Sequence, residues 1–256
     1  MPAVPAVPVA LMVSAALMVS AVPVTLSALG ATATVQRSCN GSVDAKLSRA
    51  DDGEHRARYR RARASSASEP AVTAIEVPDL RDGELRLRSP LERDIPRITA
   101  VCQDAEVQRW TRVPSPYREE DARAFVRLAA ESLASGRGAH LVVVRHDDVV
   151  LAAAGLGIDR RDLSGQVGYW VAPEERRQGI AVRSTRRLLR WAFEELSLAY
   201  VELIAAAENP GSNAVARALG FTLEGVAAEA MLLRFDDGSE RRGDVNRYGI
   251  RPRELT

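Results

Sequence analysis

The segment at residues 167–181 constrains the fold of this chain more than any other part of the sequence. It reads V-G-Y-W-V-A-P-E-E-R-R-Q-G-I-A, so an apolar strand runs into a charged loop with one glycine, Gly179, and a helix with an apolar stripe follows at once. The first backbone N–H groups of a helix have no partners within the helix, and the helix dipole favours negative charge there. The segment therefore predicts a phosphate-binding site, with Arg176 and Arg177 as additional charged donors.

This loop resembles the acetyl-coenzyme A pyrophosphate loop of the GNAT N-acetyltransferases, whose motif is Gln/Arg-x-x-Gly-x-Gly/Ala. The matching residues of this chain are Arg176, Arg177, Gln178, Gly179, Ile180 and Ala181. The flanking sequences G-Y-W-V-A-P and L-L-R-W-A-F-E-E-L are similar to those of the Rim-type branch, the ribosomal-protein N-acetyltransferases and their relatives. The resemblance implies that these six residues bind acetyl-CoA, the cosubstrate. The alternative is an ordinary strand–helix connection with two solvated arginines, and the flanking context argues against it.

The composition is that of an ordinary globular protein, with 46% hydrophobic and 27% charged residues. A net charge of +1 gives no general reason to expect binding to nucleic acid or to an anionic membrane. Two cysteines, Cys39 and Cys102, and three separated histidines lack the spacing of zinc ligands, so no metal is expected. Free thiols in a reducing compartment are the simplest interpretation, and we expect a cytoplasmic protein.

Residues 1–36 form an uncharged extension rich in Ala, Val and Pro. Between its prolines, residues 9–22 give a shorter apolar stretch than the roughly 20 residues that cross a bilayer as a helix, so no membrane span is expected. We interpret the extension as non-structural. A secretory signal that ends near Ala31-Thr32-Ala33 but lacks a basic n-region is one alternative, and a membrane-associated helix is another.

Residues 37–73 are dominated by Arg, Ser and Ala, with five arginines and no acid between Arg56 and Arg63. Because the segment has few apolar residues to bury, we predict a disordered linker. A basic cluster can also bind nucleic acid, so a nucleic-acid-tethered protein is an alternative, although stable nucleic-acid binding is not expected.

From about Ala74 the apolar pattern becomes periodic and predicts a folded domain. Seven strands are expected at residues 84–88, 139–145, 149–158, 167–171, 200–205, 232–235 and 245–250. Four helices are expected at about 90–104, 119–136, 180–196 and 210–219. This order is the GNAT order, and the resemblance covers roughly residues 74–252. It implies a GNAT fold of the α+β (mixed α/β) class, in which about four helices flank a mostly antiparallel, splayed sheet of six or seven strands.

The resemblance also implies roles for residues outside the loop. Backbone groups of Val171 and Ala172 would pair with the pantetheine arm as though it were another strand. The amide of Asn209 would bind the pantetheine carbonyl groups, and the hydroxyl of Ser212 would protonate the departing thiolate. The alternative is that Asn209 and Ser212 only cap the start of a helix, where both residue types are common.

A general base is harder to assign. Many relatives carry an acid two residues before G-Y-W, whereas this chain has Gln166 there, which leaves Glu224 and Glu229 in the following strands as fallback candidates. An α-amine with a pKa near 8 is roughly a quarter deprotonated at pH 7.5, and a lysine is only about 0.1% deprotonated. An enzyme with a weak base is therefore better suited to an α-amine.

We therefore predict a single N-acetyltransferase domain that transfers acetyl directly from acetyl-CoA to a primary amine, since no Cys or Ser–His pair suggests a covalent intermediate. The leading acceptor is a protein N-terminus, such as that of a ribosomal protein. A small amine, including an aminoglycoside, and a non-catalytic acetyl-CoA-binding module are the alternatives. The protein is expected to be a monomer or a homodimer. Trp110, Trp170 and Trp191 are interpreted as core residues, with an acceptor-site wall as the alternative for Trp110.

Overall fold

The computed structural model describes residues 73–235 and 237–256. The uncharged extension at residues 1–36 lies outside the described residues, as does the Arg/Ser/Ala-rich segment up to residue 72. The interpretations of these two segments therefore remain predictions. Within the described ranges, no helix has both the length and the apolar character needed to cross a bilayer.

Eight strands of the described residues form one sheet. They are β1 (Leu80–Asp82), β2 (Leu85–Arg88), β3 (Gly138–Val144), β4 (Val150–Asp159), β5 (Ser164–Val171), β6 (Tyr200–Ala206), β7 (Thr222–Arg234) and β8 (Glu240–Ile250). Their spatial order is β1-β2-β3-β4-β5-β6-β8-β7, and all neighbours are antiparallel except β5 and β6. The mostly antiparallel sheet is confirmed, with one strand more than expected. The additional strand, β1, pairs with β2 through a two-residue turn at Gly83 and Glu84, in which Gly83 has a φ of 57°.

Five α-helices occur in the described part of the chain. They are α1 (Ile95–Cys102), α2 (Ala105–Trp110), α3 (Glu119–Ala134), α4 (Ile180–Glu194) and α5 (Pro210–Ala218). The helix expected at residues 90–104 is instead a 3-10 turn followed by α1, and α2 is an additional short helix. The helical pattern is interrupted at Asp104. Its carboxylate accepts a hydrogen bond from the Val107 N–H at 3.0 Å and so caps the start of a separate helix, α2.

The sheet separates two apolar layers because successive residues of a strand point to opposite faces. One face packs against α4 and α5, with Leu141, Val167 and Leu188 among its buried residues. The other face packs against α1 and α3, with Val142 and Phe125 among its buried residues. The two layers place the N-terminus of α4 and an apolar face of the sheet on opposite sides of the same strands.

The sheet opens between β5 and β6. Their parallel pairing covers only residues 164–167 of β5 and 200–203 of β6, although both strands continue beyond it. The ends of these two strands therefore splay apart and leave backbone groups of β5 and β6 without a neighbouring strand. This gap determines where a third extended chain can lie.

The last hairpin is much longer than the sequence analysis predicts. The segment expected at 232–235 covers only the end of β7 (Thr222–Arg234) next to the turn, and the segment expected at 245–250 covers only the second half of β8 (Glu240–Ile250). Two irregularities interrupt the register of β7 against β8, and the first nine residues of this edge strand are largely exposed. An exposed, bulged strand lacks the regular apolar alternation by which strands are recognised.

Candidate active site

A cavity of about 940 Å³ occupies the gap between β5 and β6. Its lining combines the loop before α4, the first turns of α4 and α5, the splayed strand ends and side chains of the α1–α3 layer. A single continuous space thus joins a helix N-terminus on one side of the sheet to an apolar face on the other side.

The N-terminus of α4 is bare and faces this cavity. Gly179 has a φ of 74° and is the residue that precedes the helix, and a Cβ atom at this position would meet no atom within 4 Å. Gly179, Ile180 and Ala181 all line the cavity, and the first turn of the helix carries no acidic residue. Free N–H groups, a positive helix end and open space suit a diphosphate group. The residues present therefore fit the cofactor that the loop motif implies.

The side chains of this loop differ in whether they already have a partner within the protein or can bind a ligand. Arg176 and Arg177 line the cavity, but Arg176 forms an ion pair with Asp104 and lies 3.6 Å from a carboxylate oxygen of Glu106. Arg177 makes no ion pair with another described residue. Gln178 is not part of the lining, because its side-chain oxygen accepts a hydrogen bond from Arg145 at 3.0 Å. Five of the six motif residues line the cavity, and the sixth, Gln178, instead connects the loop to Arg145.

Val171 and Ala172, at the end of β5, were both expected to pair with the pantetheine arm, but only one of them has backbone groups that face the gap. The N–H of Ala172 donates to the carbonyl oxygen of Leu151 on β4 at 2.8 Å, and Ala172 is fully buried. Backbone groups of successive strand residues point to opposite sides, so those of Val171 face the gap. The structure thus leaves Val171 free to pair with an extended ligand and directs the Ala172 N–H away from it.

Three side chains meet at the start of α5. The Asn209 side-chain oxygen accepts a hydrogen bond from the Ser212 N–H at 3.0 Å, so Asn209 caps the helix. The hydroxyl oxygens of Ser212 and Tyr169 are 2.9 Å apart. All three residues line the cavity. Tyr169 comes from a different element, β5, so the sequence around Ser212 does not indicate that the two hydroxyl groups are neighbours.

Burial raises the pKa of Tyr169 to about 12, so its phenol is protonated at neutral pH. Burial likewise raises the pKa of Cys102, which also lines the cavity, to about 12. A protonated thiol is a poor nucleophile, and this agrees with direct transfer to the acceptor.

The two fallback candidates for the general base, Glu224 and Glu229, lie outside the cavity. Glu224 accepts a hydrogen bond from the Tyr200 hydroxyl at 2.7 Å and pairs with Arg251, and Glu229 is an exposed residue of β7. Neither residue lines the cavity. They are separated from it because they lie on the edge strand, beyond β8.

Gln166 does line the cavity, and its amide donates a hydrogen bond to the carboxylate of Glu202 at 3.1 Å. Glu202 is the register partner of Gln166 on β6, and it also pairs with Arg247 at 2.7 Å. Nothing local to either strand indicates that Gln166 and Glu202 are neighbours, so Glu202 was not among the predicted site residues. A carboxylate is therefore present one strand away from the position where many relatives carry an acid.

The opposite end of the cavity is mostly apolar. Trp110 and Trp170 line it together with Phe125 and Met231, whereas Trp191 is only 1% exposed in the other layer. Trp191 is therefore a core residue as expected, whereas Trp110 and Trp170 are partly buried and line the cavity. No group of three potential metal ligands occurs among the residues that the structure covers.

The family model of the acetyltransferase (GNAT) domain matches residues 84–222, more than half of the chain. A candidate ribosomal N-acetyltransferase of Bacillus subtilis (strain 168), YdaF, is 38% identical over 74 residues, which is 29% of this chain and 40% of that protein. The ribosomal-protein-serine acetyltransferase of Escherichia coli (strain K12) is 25% identical over 130 residues, 51% of this chain and 70% of that protein.

A solved structure of RimL, a ribosomal L7/L12 alpha-N-protein acetyltransferase in complex with coenzyme A, superimposes with a TM-score of 0.62. It is 22% identical to this chain, and the match covers 68% of this chain and 98% of that chain. The likeness shows that the two proteins share their fold, including an open sheet flanked by helices. Together with the family match, it shows that the chain belongs to the GNAT family of acetyltransferases.

Proposed function

We propose that this acetyltransferase uses acetyl-CoA to acetylate the N-terminal α-amine of a protein. The observation that carries the proposal is the continuous cavity between β5 and β6, which connects the bare end of α4 to the apolar acceptor face. A donor bound at one end and an acceptor bound at the other would meet at the splayed strands. Bringing two reactants together in this way supplies a large part of the catalysis of a bimolecular step.

Acetyl-CoA would bind with its diphosphate against the N–H groups of Gly179, Ile180 and Ala181, and with Arg177 as an additional cation. Its pantetheine arm would lie along the gap, where Val171 and the amide of Asn209 can contact it. The thioester would then reach the start of α5. Such backbone contacts need no particular side chains, which explains why a short motif specifies the site.

The acetyl-transfer reaction requires two proton transfers. The amine nitrogen attacks the thioester carbon, a carbon–nitrogen bond forms, the carbon–sulfur bond breaks, and the amine loses a proton while the thiolate gains one. Ser212 would give its hydroxyl proton to the sulfur, and the protonated Tyr169 beside it would replace that proton. The proton that the amine loses would pass to solvent water, and solvent would return a proton to Tyr169. The positive end of the α5 dipole favours the negative charge that develops on the sulfur.

The charges around the cavity support a peptide acceptor over a polyamine or an aminoglycoside. Two carboxylates line the cavity, those of Glu106 and Glu175, and each lies within ion-pair distance of an arginine. Arg177, which makes no ion pair with another described residue, also lines the cavity. A polycation needs uncompensated carboxylates, and like charges repel it. Gln166 in place of an acid also favours an amine of low pKa.

An acceptor screen with detection of free thiol tests this proposal. At pH 7.5 we expect turnover with peptides that have a free N-terminus, no turnover with the same peptides blocked by N-formylation, and little with spermidine or an aminoglycoside. Mass spectrometry should locate the acetyl group on the α-amine and not on an internal lysine. Turnover restricted to the small polyamines, or none with any amine although acetyl-CoA binds, would contradict the proposal.

A further inference from the structure

Gln166 lies on β5 where the gap begins. The parallel pairing of β5 with β6 ends at Val167 and Leu203, and both of these side chains are buried in the layer beneath α4 and α5. Because successive strand residues point to opposite faces, Gln166 points to the face that packs against α1 and α3. It lines the cavity, and the next residue on that face, Gly168, leaves open space, since a Cβ atom there would meet no atom within 4 Å. An acceptor amine at the splayed strands can therefore reach the Gln166 side chain.

The neighbours of Gln166 fix the orientation of its side-chain amide. On one side its register partner, Gly157 of β4, has no side chain. On the other side Oε2 of Glu202, on β6, accepts a hydrogen bond from Nε2 of Gln166 at 3.1 Å. A carboxylate can only accept hydrogen bonds, so the amide NH2 group faces Glu202 and the amide oxygen points away from it. This oxygen accepts no hydrogen bond from another described residue, and it is therefore an acceptor that a ligand in the cavity can use.

Arg247 of β8 binds the other oxygen of the Glu202 carboxylate. Its Nε and Nη2 atoms lie 2.8 and 2.7 Å from Oε1 of Glu202. The two carboxylate oxygens are thus divided between Arg247 and Gln166, and the Glu202 side chain is only 17% exposed. Glu202 does not line the cavity, so it acts on an acceptor through Gln166. The ion pair fixes the carboxylate without adding net charge next to the cavity.

We propose that the side-chain oxygen of Gln166 accepts a hydrogen bond from the attacking amine, and that Glu202 and Arg247 are positioning residues for this oxygen. The proposal rests on the proposed function. The amine nitrogen becomes positively charged as it attacks the thioester, so its N–H groups become stronger donors, and the amide dipole stabilises the transition state more than the ground state. Gln166 takes no proton, and the amine proton still passes to solvent water. An amide thus orients the amine at a position where many relatives carry an acid.

Gln166→Met tests the contact, because methionine has a similar volume and no strong hydrogen-bond acceptor. We expect kcat/KM for a peptide with a free N-terminus to fall by about 10-fold, the value of one hydrogen bond, mainly through kcat. The KM for acetyl-CoA and the acetyl-CoA-induced thermal shift should not change. If Gln166→Met does not fold, Gln166→Asn keeps an amide that is too short to reach the amine, and the same loss is expected. An unchanged kcat/KM in the folded variant would overturn the inference while leaving N-terminal acetylation intact.

Glu202→Gln tests the positioning. A glutamine at this position can donate as well as accept, so the Gln166 amide becomes free to turn its NH2 group toward the amine. We expect kcat/KM to fall by about 3- to 10-fold in the wild-type background and not to fall further in the Gln166→Met background, because both changes act on one hydrogen bond. Equal losses in both backgrounds would show a structural role alone and overturn the positioning. Glu240→Gln, which breaks an ion pair with Arg234 on the neighbouring strand, is the matched control and should keep the wild-type kcat/KM.

The pH dependence distinguishes a positioning carboxylate from a general base. Loss of a general base costs about 100-fold or more, and high pH relieves that loss because the amine is then already deprotonated. If Glu202 only positions Gln166, the loss in Glu202→Gln should stay below about 10-fold and be the same between about pH 7 and pH 9. A loss of about 100-fold that disappears toward pH 9 would assign Glu202 as the base and overturn the proposal. Failure of the wild-type protein to acetylate any peptide would instead reject the proposed function.

Discussion

The hydroxyl group of Ser212 is held by three features that come from two separate parts of the chain, the start of α5 and strand β5. Its own backbone N–H is fixed by the Asn209 side chain, and its hydroxyl oxygen lies 2.9 Å from that of Tyr169. It also lies in the first turn of α5, where the helix dipole is positive. A hydroxyl group with a fixed position and a protonated neighbour is suited to deliver a proton to a departing thiolate.

Replacement of Ser212 tests this role. Ser212→Ala should lower kcat by roughly 10- to 100-fold with little change in the KM for acetyl-CoA, because the contact matters only as the carbon–sulfur bond breaks. Tyr169→Phe keeps the ring and should lower kcat by less. Combined, the two changes should cost little more than Ser212→Ala alone, because they act on one proton path.

Steady-state and single-turnover kinetics provide the measurement, with Asn209→Ala as a comparison that should mainly weaken acetyl-CoA binding. Wild-type kcat in Ser212→Ala, with the chemical step shown to be rate-limiting, would reject the role. Asn209 and Ser212 would then serve only to cap α5, and water would supply the proton.

Gln166 illustrates what sequence can and cannot provide at the scale of one residue. The sequence shows that a carboxylate is missing at this position, but its hydrogen bond to Glu202 links residues 36 positions apart. That contact depends on the parallel register of β5 and β6, which no local pattern encodes. Tyr169 was overlooked for the same reason, since its importance comes from its contact with Ser212 at the start of α5.

The loop before α4 is held by ion pairs to α1 and to the residue that follows β3. Glu174 pairs with Arg97 of α1, and Glu175 pairs with Arg145 at 2.9 Å. These pairs are partly exposed, so each contributes at most about 1 kcal/mol. Together they keep the loop in position before a ligand arrives, which lowers the ordering cost of binding.

The charge of the ligand at this loop can be tested with two variants of one glycine. Gly179→Glu and Gly179→Gln have similar volume and the same strain from the positive φ, and they differ only in charge. We expect Gly179→Glu to lose the acetyl-CoA-induced rise in melting temperature, because its carboxylate occupies the diphosphate site. Gly179→Gln should retain more of that rise.

Circular dichroism should show both variants folded, so that the comparison reports on binding alone. A full thermal shift in Gly179→Glu would show that the cofactor assignment is wrong. Equal losses in both variants would show that the volume of the added side chain matters and its charge does not.

Elements with local signals were predicted well, and elements that depend on tertiary contacts were not. The starts of α4 and α5 were expected at Gly179 and Asn209, because a left-handed glycine and an asparagine cap are local features. The separate helix α2 was missed because a strong cap interrupts a periodic pattern. The full length of β7 was missed because bulges and exposure remove its alternation.

The first described residues are tied to the domain. The Ile75 N–H donates to the Leu133 carbonyl at 2.8 Å, and the Ile75 side chain is buried in the layer beneath α4. The carbonyl of Thr73 accepts a hydrogen bond from Arg160 at 3.3 Å. At the other end, Thr256 contacts Leu219. The expected domain of residues 74–252 therefore makes further contacts at both of its ends, and composition alone could not define these boundaries.

Two truncations that differ by seven residues test where the folded domain begins. Deleting residues 1–72 should leave the melting temperature and acetyl-CoA binding unchanged, because the composition changes abruptly before this point and the contacts of Thr73 and Ile75 are kept. Deleting residues 1–79 also removes the buried Ile75 side chain, whose burial is worth about 1.5–3 kcal/mol. For a domain of this size that loss lowers the melting temperature by roughly 4–10 °C. Calorimetry of both proteins with and without acetyl-CoA provides the measurement. If the shorter deletion aggregates or loses acetyl-CoA binding, the N-terminal extension belongs to the fold, and the single-domain interpretation is wrong.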